Sequence, residues 1–336
     1  MTQREFRVLF LKYFRNGCLS RSDKLLSFVF PFIPFNKNAK IISNAFKKSD
    51  VEKTDFENIV VQIENYSRAN LYAKKISDYL NAHIKEELAG AYVHGSVGTS
   101  EEISYSDFDG FVILKNDILN QPEKLKKVTA TLIESEKIMI EMDPLQHHGW
   151  FVFTENDFEN YPEYYFPHEL LRYSKCLFGS TKINIQLKKS GYKNEGIESF
   201  NKLADGIMRK LNSKTFLENY YSFKNLLSEF MLLPALFIQA KTGNGIFKKF
   251  SFEKVRNEMN EKYKVMDEIS LLRTNWNYQP TAFYNFIRKN DFPFLKSIPS
   301  KYFSGSLSSE IKNNFDESFI NSMKTFVNEL KSKLSK

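Results

Sequence analysis

The stretch Ala91-Tyr-Val-His-Gly-Ser-Val-Gly-Thr99, followed by Ser104-Tyr-Ser-Asp-Phe-Asp-Gly-Phe-Val-Ile-Leu114, decides how the middle of this chain folds. Its first part is an apolar run closed by Gly95-Ser96. That predicts a short buried strand over Ala91 to His94, ending in a turn that presents backbone N–H groups and a hydroxyl to an anion. Gly95 allows the backbone to approach such a ligand closely. The second part opens with Asp107-Phe-Asp109 and runs on as apolar residues to Leu114, which predicts a strand over 108–114 buried on both faces. Residues two apart on a strand share a face. The carboxylates of Asp107 and Asp109 are therefore expected to converge, with Phe108 turned away. Two carboxylates held together repel unless a cation lies between them, and Mg²⁺ suits hard oxygen ligands of this kind. Gly-Ser alone is common, and an isolated Asp-x-Asp reads as a turn cap. The succession of strand, glycine turn, paired acids and strand is far more specific.

At these residues the sequence resembles the DNA polymerase β-like nucleotidyltransferase superfamily. Its signature is a hydrophobic strand, Gly-Ser or Gly-Gly, a short helical connection, then Asp-x-Asp opening the next strand. Tyr92-Val-His-Gly-Ser96 and Ser106-Asp-Phe-Asp109 match it; Val97-Gly98-Thr99 departs from the small residue, Arg and Gly that many members carry after Gly-Ser. The resemblance implies an α/β (α+β) core with a mixed sheet, Gly95 and Ser96 on the triphosphate, and Asp107 and Asp109 on Mg²⁺ (or Mn²⁺). It also implies a third carboxylate from a later strand. Asp143 and Glu141 are the candidates, sharing a face of a strand predicted over Ile138–Asp143. Asp143 is preferred as catalytic and metal-binding residue, since it ends that strand beside the turn Pro144-Leu-Gln-His-His-Gly149. Members often place a helical-region lysine on the phosphates. Lys241, Lys248 and Lys249 qualify, and Lys241 is taken as the nucleotide-binding candidate. In the histidine-bearing turn, His148 rather than a His147–His148 metal pair is the candidate for acceptor contact, because adjacent side chains diverge on extended backbone.

Outward from the motif, apolar residues at helical spacing predict a helix over Val51 to Leu88, capped by Gly90. Further helices are expected over 121–136 and from Pro167 to Cys176, and strands over 149–154 and 183–187. Beyond the polar Ser190–Gly196 stretch, helices are expected over 203–211, 216–240, 252–263, 280–287 and 309–334. The expected organisation is N-terminal helices packed on the core (1–87), a nucleotidyltransferase core (88–190) and an all-helical C-terminal domain (191–336).

Composition sets the outer bounds. The 336 residues are long enough for roughly two domains. Two cysteines give no disulfide framework and no metal-ligand spacing. The formal net charge of +8 fits anionic partners, but a lysine-rich, Asn- and Ile-rich chain also fits an AT-rich genome. Met1 to Asn16 reads as a packing helix, and the run from Leu25 to Phe35, broken by Pro31 and Pro34, is too short to span a bilayer. Absence of a secretory leader makes a cytoplasmic location the expectation. The function implied is transfer of a nucleoside monophosphate from a nucleoside triphosphate to a hydroxyl on a small molecule, RNA or protein, releasing pyrophosphate. The alternatives are a degenerate module of the same fold that binds nucleotide or RNA without turnover, and an interaction scaffold.

Overall fold

The computed structural model describes residues 56–67, 70–146, 149–159, 161, 163, 166–189, 191–290, 300 and 302–335. The expected segments at Met1–Asn16 and Leu25–Phe35, and both His147 and His148, lie outside the described residues.

Strands β1 (Phe56–Gln62), β2 (Glu64–Asn65), β3 (Leu88–His94), β4 (Asp109–Leu114), β5 (Phe151–Thr154), β6 (Lys175–Gly179) and β7 (Lys182–Lys188) form two sheets. The larger is five-stranded and mixed, in the order β2-β6-β3-β4-β5. The pairs β3–β4 and β3–β6 are antiparallel, and β2–β6 and β4–β5 parallel. The smaller sheet is the antiparallel pair β1–β7.

Strand β4 is buried on both faces, as its unbroken apolar run requires. Val112 and Leu114 join Val93, Phe108 and Trp150 on one side. There they meet helix α1 (Leu71–Ile84), through Ala73, Ile76, Leu80 and Ile84, and helix α3 (Pro122–Met142), through Leu125, Val128, Leu132 and Met139. Phe111 and Ile113 face the other side, among Tyr92, Phe153, Phe166 and Ile185. The start of α1 is fixed by Asn70, whose side chain accepts from the N–H groups of Tyr72 and Ala73.

Three expectations are corrected here. Residues 56–62 are a strand, not part of a helix. Val61 and Ile63 are buried while Val60 is 55% exposed, so the pattern there has period two, and β7 supplies the partner. Ile138–Asp143 is not a strand: α3 runs on to Met142, because Met139 continues the helical face that packs on the sheet. The Pro167 helix is short, α4 (His168–Arg172), and gives way to β6, which reaches through Cys176 to Gly179.

From Lys193 the described elements are helical: α5 (Lys193–Ser213), α6 (Tyr220–Phe230), α7 (Leu233–Thr242), α8 (Lys248–Met259), α9 (Lys264–Thr274), α10 (Ala282–Asn290), α11 (Ser309–Asn314) and α12 (Glu317–Leu334). The single helix expected over 216–240 is broken at Met231–Leu232. Pro234, which cannot serve as a helix-interior donor, stands in the first turn of α7. A second core built from Phe200, Phe223, Phe230, Phe237, Ile269 and Phe326 holds these helices together. Tyr105 and Leu145 from the α/β part enter this second core. Both flank acidic residues of interest, so the packing between the two parts also sets the geometry around the Asp-x-Asp segment. No helix among the described residues is long and apolar enough to cross a membrane.

Candidate active site

The end of β3 and the start of β4 are neighbours, with His94 paired to Asp109. That register carries Gly95-Ser96 and the two acids to one end of the sheet. Helix α2 (Gly95–Thr99) follows directly, so a short helical connection forms despite the unusual Val97-Gly98-Thr99. Gly98 suits its place because a Cβ there would stand 3.0 Å from the Val93 carbonyl oxygen. Gly95 has φ +64°, and a Cβ on it would come within 2.5 Å of Asp109 Oδ2. Only glycine combines that backbone with so close a carboxylate.

Strand β4 begins at Asp109, leaving Asp107 just before it. The segment between the acids is held by Gln146, which was not apparent as a site residue from the sequence. Its Oε1 accepts from the Phe108 N–H at 2.9 Å, and its Nε2 donates to the Phe108 carbonyl at 2.9 Å. The amide thus closes the Phe108 peptide as a neighbouring strand would. The Gln146 turn is itself anchored from the helical half, where Tyr284 donates its hydroxyl to the Pro144 carbonyl at 2.8 Å. We expect Gln146→Leu to leave two buried backbone groups unpaired and to cost about 2–4 kcal/mol in urea unfolding. An unchanged midpoint would show that the clamp contributes nothing.

Asp107 and Asp143 meet at Lys224. Lys224 is wholly buried on α6, and its Nζ lies 2.6 Å from Asp107 Oδ1 and 2.7 Å from Asp143 Oδ2. Burial alone would pull the Lys224 ammonium down, but the two carboxylates overcome it and hold its pKa above the ordinary lysine value. Asp143 is pushed up by burial and by Asp107, against the pull of Lys224. It stands just after α3, with its N–H bonded to the Met139 carbonyl and its Oδ1 accepting from the Leu145 N–H at 3.1 Å. Glu141, the other candidate, lies on α3 in a partly exposed ion pair with Lys75 at 3.1 Å.

Of the three candidate lysines, Lys241 pairs with Glu258 at 2.8 Å and is 49% exposed. Lys249 pairs with Glu101. Lys248 is the one within electrostatic reach of the acids. Burial and the neighbouring Arg273 draw its pKa down to about 8, while Asp109 and Asp107 pull the other way. The Arg273 guanidinium stacks over Tyr105, 4.6 Å from its ring centre, and its buried Nε has no hydrogen-bond partner among the described residues. Lys248 thus feels both the charge of Arg273 and that of the two acids.

His94, immediately before Gly95, is boxed by Phe111, Phe151 and Phe166. Burial lowers its pKa to about 3, so it is neutral in the folded protein. The unfolded chain takes up a proton near the ordinary value of 6.5. Stability from this group is therefore intact above about pH 6.5 and falls as pH drops toward 3, by at most about 5 kcal/mol. Urea unfolding of His94→Phe should lose less stability than the wild type between pH 6.5 and 4.5, by about 2–3 kcal/mol. Parallel pH profiles would contradict this.

Asp107 and Asp109 offer hard oxygen donors next to a backbone cradle that a Cβ at Gly95 would fill, and this donor set fits one Mg²⁺ or Mn²⁺ completed by phosphate oxygens. Among the described residues, no three Asp, Glu, His or Cys side chains gather into a set able to hold a metal ion.

No family model matches the sequence, and no curated protein matches it either. Among solved structures, the chain is similar to spectinomycin adenyltransferase AAD(9) from Enterococcus faecialis, determined with ATP and spectinomycin. The identity is 13%, the match covers 80% of this chain and 100% of that one, and the TM-score is 0.36. A likeness at that level leaves the functional reading to the residues themselves.

Proposed function

We propose that the protein is a nucleotidyltransferase that moves a nucleoside monophosphate from a nucleoside triphosphate to an acceptor hydroxyl. The observation that carries this reading is the packing of Asp109 against the Gly95 turn at the strand end where His94 pairs with Asp109, two residues after Asp107 and with Lys248 within electrostatic reach of both acids. In the step, the acceptor oxygen forms a bond to the α-phosphorus. The bond from that phosphorus to the α–β bridging oxygen breaks, pyrophosphate leaves with the electron pair, and the acceptor's proton is released to solvent. Asp107 and Asp109 would hold the divalent ion, which supplies Lewis-acid neutralisation of the phosphate oxygens. Gly95 and Ser96 would seat the phosphates. Lys248 and Arg273 bring positive charge to the side where pyrophosphate charge develops, in a site where burial strengthens each interaction. The residues named bind and orient; positioning and charge neutralisation are the main work in this chemistry.

The test is pyrophosphate release and label incorporation with each of the four triphosphates, Mg²⁺ or Mn²⁺, and small-molecule, RNA and protein acceptors. Turnover that survives Asp107→Asn with Asp109→Asn removes the proposal. Nucleotide binding without pyrophosphate release under all conditions would instead mark a binding module of the same fold.

Lys248 adds a pH signature. Its ammonium binds phosphate only while protonated, and its pKa is held near 8. Triphosphate affinity is therefore expected to be level below about pH 7.5 and to weaken as pH rises through 8. Lys248→Ala should bind triphosphate roughly tenfold more weakly, an amount ordinary for one charged contact, and should lose that slope. A slope retained in the variant would assign it to another group.

A further inference from the structure

Lys224 is a wholly buried charged side chain placed against Asp107, one of the two acids proposed to hold the metal ion. Its Nζ contacts Asp107 Oδ1 and Asp143 Oδ2, and lies 4.8 Å from the centre of the Tyr105 ring. The Tyr105 hydroxyl donates to the Lys224 carbonyl at 2.8 Å, which fixes the backbone of α6 at this point. Both oxygens of Asp143 are engaged by donors of the protein itself, Oδ1 by the Leu145 N–H and Oδ2 by Lys224.

We propose that the Lys224 ammonium permanently takes the place of a second divalent cation. The centre then works with a single ion, the one that arrives with the triphosphate, and Asp143 is the counter-ion of Lys224 rather than a metal ligand. This rests on the nucleotidyl-transfer reading above and specifies its metal requirement. Two-ion phosphoryl-transfer sites place their cations about 3.5–4 Å apart, bridged by shared carboxylates. Here the shared position between Asp107 and the third carboxylate holds an ammonium within 2.7 Å of each. A divalent ion entering the same carboxylates would meet a fixed positive charge in a poorly solvated place. Stability alone gives little account of this lysine, because a buried ion pair contributes little more than a well-packed apolar contact. Its location beside the paired acids does give one: Lys224 is a positioning residue that fixes the Asp107 carboxylate and neutralises part of its charge without touching the nucleotide.

The experiment counts Mn²⁺ bound per bound nucleotide by equilibrium dialysis, on the full chain with α,β-methylene triphosphates of all four bases. Wild type should bind one Mn²⁺ per nucleotide. Asp143→Asn keeps one side-chain acceptor, which can serve the Leu145 N–H, and gives up the oxygen that faces Lys224, leaving the ammonium paired with Asp107; it should bind Mn²⁺ within about threefold of wild type, whereas Asp109→Asn should lose it. Two Mn²⁺ per nucleotide in the wild type, or a tenfold or greater weakening in Asp143→Asn, overturns the Lys224 assignment while leaving nucleotidyl transfer standing. If none of the four analogues binds with Mn²⁺, the transferase reading fails and this inference goes with it. The wild-type count decides the matter by itself should the Asp143 variant not fold.

Discussion

Asp109→Asn is expected to lower turnover by about 10²–10³-fold while leaving the fold intact. The size follows from what the carboxylate does in the proposed site. It supplies one of two charged oxygen donors for the ion, and losing a preorganised stabiliser of developing phosphate charge, here the ion that the carboxylate would hold, typically costs about 10²–10³-fold. Asparagine keeps the shape against Gly95, so neither the left-handed turn nor the pairing of Asp109 with His94 need change. Because Asp109 is only half-buried, the urea midpoint should move by no more than about 0.5 kcal/mol. Activity within threefold of wild type, with Mn²⁺ affinity preserved, would remove Asp109 from the metal centre.

The largest effect on stability is expected from Lys224→Ala. The change leaves the Asp143 carboxylate, 4% exposed, and that of Asp107 without the ammonium that both contact. Breaking a buried pair from one side typically costs about 3–5 kcal/mol. The loss should be measured in EDTA, so that no divalent ion compensates. Adding Asp143→Asn to Lys224→Ala should recover part of it, since one of the two stranded charges is gone, with a coupling of about 1–3 kcal/mol in the double-mutant cycle. A Lys224→Ala protein within 1 kcal/mol of wild type would mean that the carboxylates protonate or reach water at little cost, and that the ammonium is not needed to hold them.

What the sequence made legible was what local pattern and burial encode together. The Phe111–Leu114 run is apolar because both faces of β4 are covered, and β3 carries the same signal. Strand β1 was hidden because its partner, β7, lies more than a hundred residues away: Ile59 pairs with Ile185. Ile59 and Ile63 also sit four apart, as a helix would place them. The Ile138–Asp143 segment misled for a related reason. A short apolar run carries no decisive period, and only the packing of Leu132 and Met139 on the sheet shows that α3 continues.

In the site, Asp107, Asp109 and the Gly95 turn stood out because local sequence dictates their placement at a shared strand end. The lysine did not. Lys241, Lys248 and Lys249 are equivalent as composition, and only the fold brings Lys248 within electrostatic reach of the acids. Lys224 did leave a trace, since it interrupts the apolar residues Phe223, Leu226, Leu227 and Phe230, all buried on the same helix. A lysine one turn from such neighbours needs a carboxylate, and that carboxylate came from a segment eighty-one residues earlier. Gln146 left none, because its two bonds to the Phe108 peptide depend wholly on how the turn after α3 lies.

The most direct measurement is the anomalous difference density of Mn²⁺ in crystals grown with a non-hydrolysable nucleoside triphosphate. A single peak coordinated by Asp107 and Asp109, with the phosphates running past Gly95 toward Lys248, is the result expected. A triphosphate bound elsewhere, or a peak that neither acid touches, would contradict the proposed centre.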